Sequence, residues 1–312
     1  MVYPFIGSEA LQAGRLTRHS LRTRFIAIYP DVYIPIGAEL TAATRARAAW
    51  LWTGRAGIVA GRSAAALHGA KWIDASLPAE VLWHNRRPPR GISVWSGQIA
   101  EDEIEVIRGM RVTTPARTAL DIACRYLRGI PTNPIEPLDT LAATAPIDSL
   151  ARATRLKMAD VDVLASRYRG HRGLRLARET LALVDSGAES PQETRVRLLL
   201  ISRGFPAPQT QIPVYDDHGG LVAELDMGWE DPKIAVEYEG DHHRRTRREF
   251  NKGIRRHEAV TELGWMDIRV TAADGDGGVI ARVQQAWSRR ACVQGGNLAR
   301  NPPLMHARRQ EG

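Results

Sequence analysis

LVAELDMGWEDPKIAVEYEG, residues 221–240, reads as two strands around the turn Trp229-Glu230-Asp231-Pro232. Side chains alternate across a strand, so Leu221, Ala223, Leu225 and Met227 share one face and Val222, Glu224 and Asp226 the other. In the second strand Ile234, Val236 and Tyr238 oppose Ala235, Glu237 and Glu239. A short turn makes the pair antiparallel, which sets Asp226 opposite residues 235–237 and its carboxylate near Glu237.

Like charges facing one another across a sheet are destabilising, and neither strand carries a lysine or arginine on that face. A hard divalent cation, Mg²⁺ or Mn²⁺, held by Asp226 and Glu237 would compensate, since such ions take oxygen ligands and keep waters that a phosphate can displace. The alternative is a solvent-facing sheet edge whose acids are screened by salt.

The flanking sequence extends the unit. Ser190-Pro191-Gln192-Glu193 has the form of a capping box with proline at the first helical position, and Gly204 suits the end of that helix. After Gly240 come His242, His243 and the run Arg244-Arg245-Thr246-Arg247-Arg248. A helix follows through Ile254, Val260 and Leu263, then a strand from Met266 to Val270. Arginines that hold a phosphate backbone beside a cation that activates water are what phosphodiester hydrolysis requires.

Composition agrees with a polyanionic partner. The formal net charge is +8 over 312 residues, and the pI is about 9.9. Cations that meet phosphates release condensed counterions, so DNA is the expected partner, against the alternative of a solvated basic surface. The two cysteines, Cys124 and Cys292, have no metal-ligand spacing and suggest no disulfide framework. MVYPFIGSEALQAG lacks the basic start and apolar core of a secretory signal, and no segment has the apolar length to cross a bilayer. A cytoplasmic, soluble protein with no membrane partner is expected.

The first half reads differently. Ser8 and Thr17 are expected to cap two short helices, and FIAIYPDVYIPIG to form a hairpin about Pro30-Asp31. Helix, turn, helix and wing would present Arg18, His19, Arg22 and Arg24 to a major groove. Residues 41–72 are alanine-rich and helical, and His68 is expected as a helix-end or core histidine. Thr114 before Pro115 starts a helix in which Arg117 and Asp121 pair at i, i+4.

Read together, DVYIPIG, GRSAAALHGA and TTPARTALDIA resemble the abortive-infection type IV antitoxin family (AbiEi-like). That resemblance implies a winged helix followed by a small α/β domain, repression of the protein's own operon, and a cognate toxin. Residues 188–290 resemble the very-short-patch-repair-like branch of the PD-(D/E)XK nuclease superfamily. The resemblance is carried by Glu193, Asp226, Glu237-Tyr238-Glu239-Gly240, a nearby histidine, and the helix ending Leu263-Gly264-Trp265 before Ile268-Arg269-Val270. It implies an endonuclease or nickase serving phage defence or DNA repair. Asp226 and Glu237 would be metal ligands, Glu193 an additional or outer ligand, and His242 or His243 the base or a phosphate contact. Glu239 stands where the superfamily's lysine would orient the attacking water. Arg256 falls where the branch carries arginine and, with Arg244, Arg245, Arg247 and Arg248, would bind nucleic acid.

The expected fold is mixed α/β (α+β), ending in a restriction-endonuclease-like domain with a mixed central sheet flanked by helices. The expected boundaries are a winged-helix-like unit over 1–36, an α/β domain over 37–126 and a linker and helical bridge over 127–187. The nuclease-like domain then spans 188–293, with a disordered tail over 294–312.

Overall fold

The computed structural model describes residues 3–84, 87–127, 136–240 and 247–293. The chain divides into two compact units, Met1–Thr132 with Ala142–Ser186, and Asn133–Leu141 with Gly187–Gly312. The expected tail, 294–312, lies outside the described residues.

The first unit opens with strand β1 (Phe5–Ile6), helices α1 (Gly7–Gln12) and α2 (Arg18–Arg24), and strands β2 (Phe25–Tyr29) and β3 (Val32–Pro35). The strands form an antiparallel sheet in the order β1-β3-β2. Thr17 caps α2 as expected, its hydroxyl accepting from Ser20 N at 3.1 Å. Ser8 does not cap α1. It lies inside the helix, and its N–H and hydroxyl both donate to the Asp31 carboxylate in the hairpin turn.

Helix α3 (Ala42–Trp52), β4 (Ile58–Val59), α4 (Gly61–Leu67), β5 (Ala79–Leu82), β6 (Ile92–Trp95), β7 (Ile104–Ile107), β8 (Met110–Thr113) and α5 (Pro115–Arg125) follow. Their five strands make one mixed sheet in the order β6-β5-β4-β8-β7. The alanines of α3 and α4 let helix backbones approach the sheet closely. Ala46, Ala49 and Ala64 are fully buried beside Val59, Val81 and Val112. His68 ends α4 with its side chain buried and Nε2 within 2.8 Å of the Thr113 carbonyl, as a core histidine would be.

Helices α6 (Leu141–Thr154), α7 (Met158–Arg167) and α8 (Leu174–Leu181) complete the unit. Expected as a bridge, α7 and α8 instead pack against α5 and bury Val161, Leu164 and Leu176. An apolar stripe on a helix has to be covered, and α5 covers these two.

The second unit runs α9 (Pro191–Ser202), β9 (Gln209–Tyr215), β10 (Leu221–Trp229), β11 (Ile234–Glu239), α10 (Arg247–Glu262), β12 (Met266–Thr271) and α11 (Asp276–Val293). Its sheet has the order β12-β11-β10-β9, antiparallel except where β11 and β12 run parallel across the α10 crossover. Val196, Leu199 and Leu200 of α9 and Val279 and Val283 of α11 pack with Met227, Ile234 and Val236. Val260 of α10, with Trp265, packs in a second cluster with Leu225 and Ala235. The fold is therefore mixed α+β. Among the described residues no helix is long and apolar enough to cross a membrane.

Candidate functional site

The pairing of β10 with β11 fixes the acids. Met227 faces Val236 and Gly228 faces Ala235, and one further step of that register sets Asp226 against Glu237. The two backbones approach closely at Gly228, where a Cβ would overlap the Ile234 carbonyl and stand 3.0 Å from Ala235 Cα. Asp226 then interrupts the ladder, its Oδ2 accepting the Tyr238 N–H at 2.8 Å.

Glu193 comes to the same place from α9. Its capping box is complete. Ser190 Oγ accepts Glu193 N at 3.2 Å and donates to Glu193 Oε1 at 2.8 Å, while Glu189 N donates to Oε2 at 2.7 Å. The carboxylate is nonetheless close enough to act on Asp226. Burial is the main cause that pushes the Asp226 carboxyl up to about 7. The charges of Glu193 and Glu237 add to it, and the Tyr238 N–H and Arg256 oppose it.

The face carrying Glu237 is not open to solvent, because α10 lies over it and leaves Glu237 6% exposed. From α10, Arg256 Nη1 and Nη2 donate to the two oxygens of Glu237 at 2.8 and 2.6 Å, and Nη2 also donates to the Glu224 carbonyl at 2.6 Å. Burial raises the Glu237 carboxyl and Arg256 counteracts it. Burial also works against the Arg256 charge, but Glu237 outweighs it and holds the guanidinium's pKa above its ordinary value.

Glu239 is matched in turn. Arg269 of β12 donates from Nη1 to its Oε1 at 2.8 Å and from Nε to Asp267 Oδ2 at 3.3 Å. Asp267 also meets His257 Nδ1 at 2.6 Å, and its Oδ1 is buried with no partner among the described residues. The premise that nothing neutralises these acids therefore holds only within the hairpin. Arg256 and Arg269 supply the cations from α10 and from the parallel strand. Arg269 and Asp267 went unnoticed in the sequence, where the alternation of MDIRVT already sets both on one strand face.

The structure brings together Glu193, Asp226, Glu237 and Arg256, with Glu239 held apart by Arg269. Arg18 and Arg22 are exposed on α2 in the other unit. Arg247 and Arg248 open α10, with side chains outside the described part, and His242, His243, Arg244 and Arg245 lie outside the described residues altogether. Among the described residues no three His, Cys, Asp or Glu side chains form a metal-holding group. Asp226 and Glu237 nevertheless form a donor pair of the right chemistry for a hard divalent cation, two carboxylates from adjacent strands. Such an ion would compete with Arg256 for Glu237.

Fold and site together define a mixed α+β protein with a buried carboxylate and arginine cluster on a four-stranded sheet. The chain is similar to two proteins of Mycobacterium tuberculosis, from strains CDC 1551 / Oshkosh and ATCC 25618 / H37Rv, each named only as an uncharacterized protein. Both are 31% identical to it over 188 residues, which is 60% of this chain. The match spans 64% of the length of these curated relatives. No protein-family profile matches the chain, and no solved structure matches it.

Proposed function

We propose that the protein is a Mg²⁺- or Mn²⁺-dependent DNA endonuclease or nickase of the PD-(D/E)XK type. The supporting observation is that acids from three elements, Glu193 on α9, Asp226 on β10 and Glu237 on β11, crowd closely enough for two of them to raise the pKa of the third. Asp226 and Glu237 would hold the ion. When bound, it would stabilise charge on the scissile phosphate and lower the pKa of an attacking water. Arg256, once released from Glu237, has a free guanidinium for a phosphate oxygen. Glu239 is acidic and paired with Arg269, so it cannot supply the positive charge of a lysine at that position.

The test is incubation of the purified protein with supercoiled plasmid and Mg²⁺ beside the Asp226→Ala variant. Nicking by the wild type alone supports the assignment, whereas equal cleavage by both proteins sinks it.

One observation favours a second reading, a non-catalytic DNA-binding repressor of antitoxin type that acts with a cognate toxin. Glu237 and Glu239 are both already ion-paired, so the sheet needs no metal to balance them. This reading predicts metal-independent, salt-sensitive DNA binding through Arg18 and Arg22. Binding unchanged in an Arg18→Ala, Arg22→Ala double variant eliminates it.

A further inference from the structure

The first unit contains a cavity of about 360 Å³, unrelated to the acid cluster of the second. It lies where the parallel strands β5 and β6 end, since Leu82 and Trp95, their last residues, line it together with Asp121 and Cys124 of α5 and Tyr168 and His171 before α8. In open α/β sheets, ligands bind in the crevice outside the carboxyl ends of the strands. The volume is within the range of small-molecule sites.

The walls carry chemistry that the fold does not use up. Arg117 donates to Glu103, to Asp121 Oδ1 at 2.9 Å and to the Tyr168 hydroxyl at 2.8 Å, and Tyr168 donates onward to Glu103. Asp121 Oδ2 and Trp95 Nε1 are both buried with no hydrogen-bond partner among the described residues. Native interiors rarely leave such groups unmatched, and one acceptor with one donor is a complementary pair. The Trp95 ring is covered by the Arg125 guanidinium at 3.8 Å. Leu82, Leu120 and Leu174 supply the apolar remainder of the lining.

Charge narrows the ligand. An anion would face the Asp121 carboxylate, and a cation would face Arg117 and Arg125, so a neutral molecule is favoured. It must give a proton to a carboxylate, take one from an indole N–H, and lie flat against apolar side chains and a guanidinium plane. We propose that this cavity binds a neutral planar heterocycle carrying both N–H and C=O or ring-nitrogen acceptor groups, the chemistry of a nucleobase. Stacking on aromatic and arginine planes combined with hydrogen bonds to the base edge is the common mode of recognising unpaired bases.

The full chain is to be titrated calorimetrically with adenine, cytosine and uracil, with inorganic phosphate and ribose 5-phosphate as anion and sugar controls. At least one base is expected to bind one to one. Trp95→Phe keeps a ring beneath Arg125 but removes the N–H, and should weaken binding about tenfold, the loss of one buried hydrogen bond. Should that variant misfold, Cys124 provides an independent reading in a Cys292→Ser background, because a base in the cavity must slow its alkylation. Three results overturn the assignment: no base binds at millimolar concentration; phosphate or ribose 5-phosphate binds in place of a base; or base binding leaves Cys124 as reactive as before or is undiminished in a folded Trp95→Phe protein.

Discussion

Arg256 holds both carboxylate oxygens of Glu237, at 2.8 and 2.6 Å, although the two residues lie on a helix and a strand separated by the arginine-rich segment of the chain. The pair is asymmetric. Glu237 is nearly sealed, with a side chain 7% exposed, whereas that of Arg256 is 33% exposed. A buried carboxylate depends on its partner more than a half-exposed guanidinium does, so the consequences of breaking the pair fall on Glu237.

Arg256→Ala should therefore destabilise the protein by about 2–3 kcal/mol, below the ~3–5 kcal/mol of a fully buried pair because water reaches the arginine side. Urea denaturation measures this. Added Mg²⁺ should raise the melting temperature of the variant by several degrees more than that of the wild type, since the ion takes the place the guanidinium leaves. Equal metal response in both proteins would show that Arg256 and a cation do not compete for Glu237.

A second buried acid sets a pH dependence. Burial is the main cause that pushes the Glu80 carboxyl up to about 7, even though Arg62 N donates to it at 2.6 Å. Its folded-state pKa lies above the unfolded one, so between roughly pH 4 and 7 the folded chain binds more protons than the unfolded chain. The stability it contributes is complete below that window, falls as pH rises through it, and is level above, for a total of up to about 3 kcal/mol. Asp226 shares the window, so the measurement is the difference between wild type and Glu80→Gln. That difference should slope between pH 4 and 7 and be flat above 7.5.

What the sequence made legible was local. The Thr17 and Ser190 caps, the Asp226 and Glu237 register and the Arg117–Asp121 pair each depend on residues within a few positions or on a short turn. Its failures were tertiary. Ser8 lost its expected cap because Asp31, across the hairpin, offers a stronger acceptor. The cations for Glu237 and Glu239 were invisible because the packing of Val260 and Trp265 turns Arg256 toward the sheet, and the parallel pairing of β11 with β12 brings in Arg269. Charge balance judged one strand at a time misses a cation supplied from the next layer.

Gly228 should be intolerant of substitution. A Cβ there meets backbone atoms of β11 rather than the end of a flexible side chain, so the strands must separate next to Asp226. Gly228→Ala is expected to cost about 3 kcal/mol, at the upper end of overpacking penalties. Thermal melting followed by circular dichroism tests this, and a loss under 1 kcal/mol would contradict the close approach.

Glu193 has two roles that one substitution separates. As the capping-box residue it accepts from Glu189 N and Ser190 Oγ, and glutamine can fill the same place in such a box. As a member of the acid cluster it acts on Asp226 through its charge, which glutamine lacks. Glu193→Gln should thus leave stability within about 0.5 kcal/mol, while Ser190→Ala, which removes the cap, costs about 1 kcal/mol. If the cluster cleaves DNA, Glu193→Gln should slow plasmid nicking at least tenfold while Ser190→Ala leaves it within threefold. Equal nicking rates for wild type and Glu193→Gln would confine Glu193 to capping and leave Asp226 and Glu237 as the whole of the acidic site.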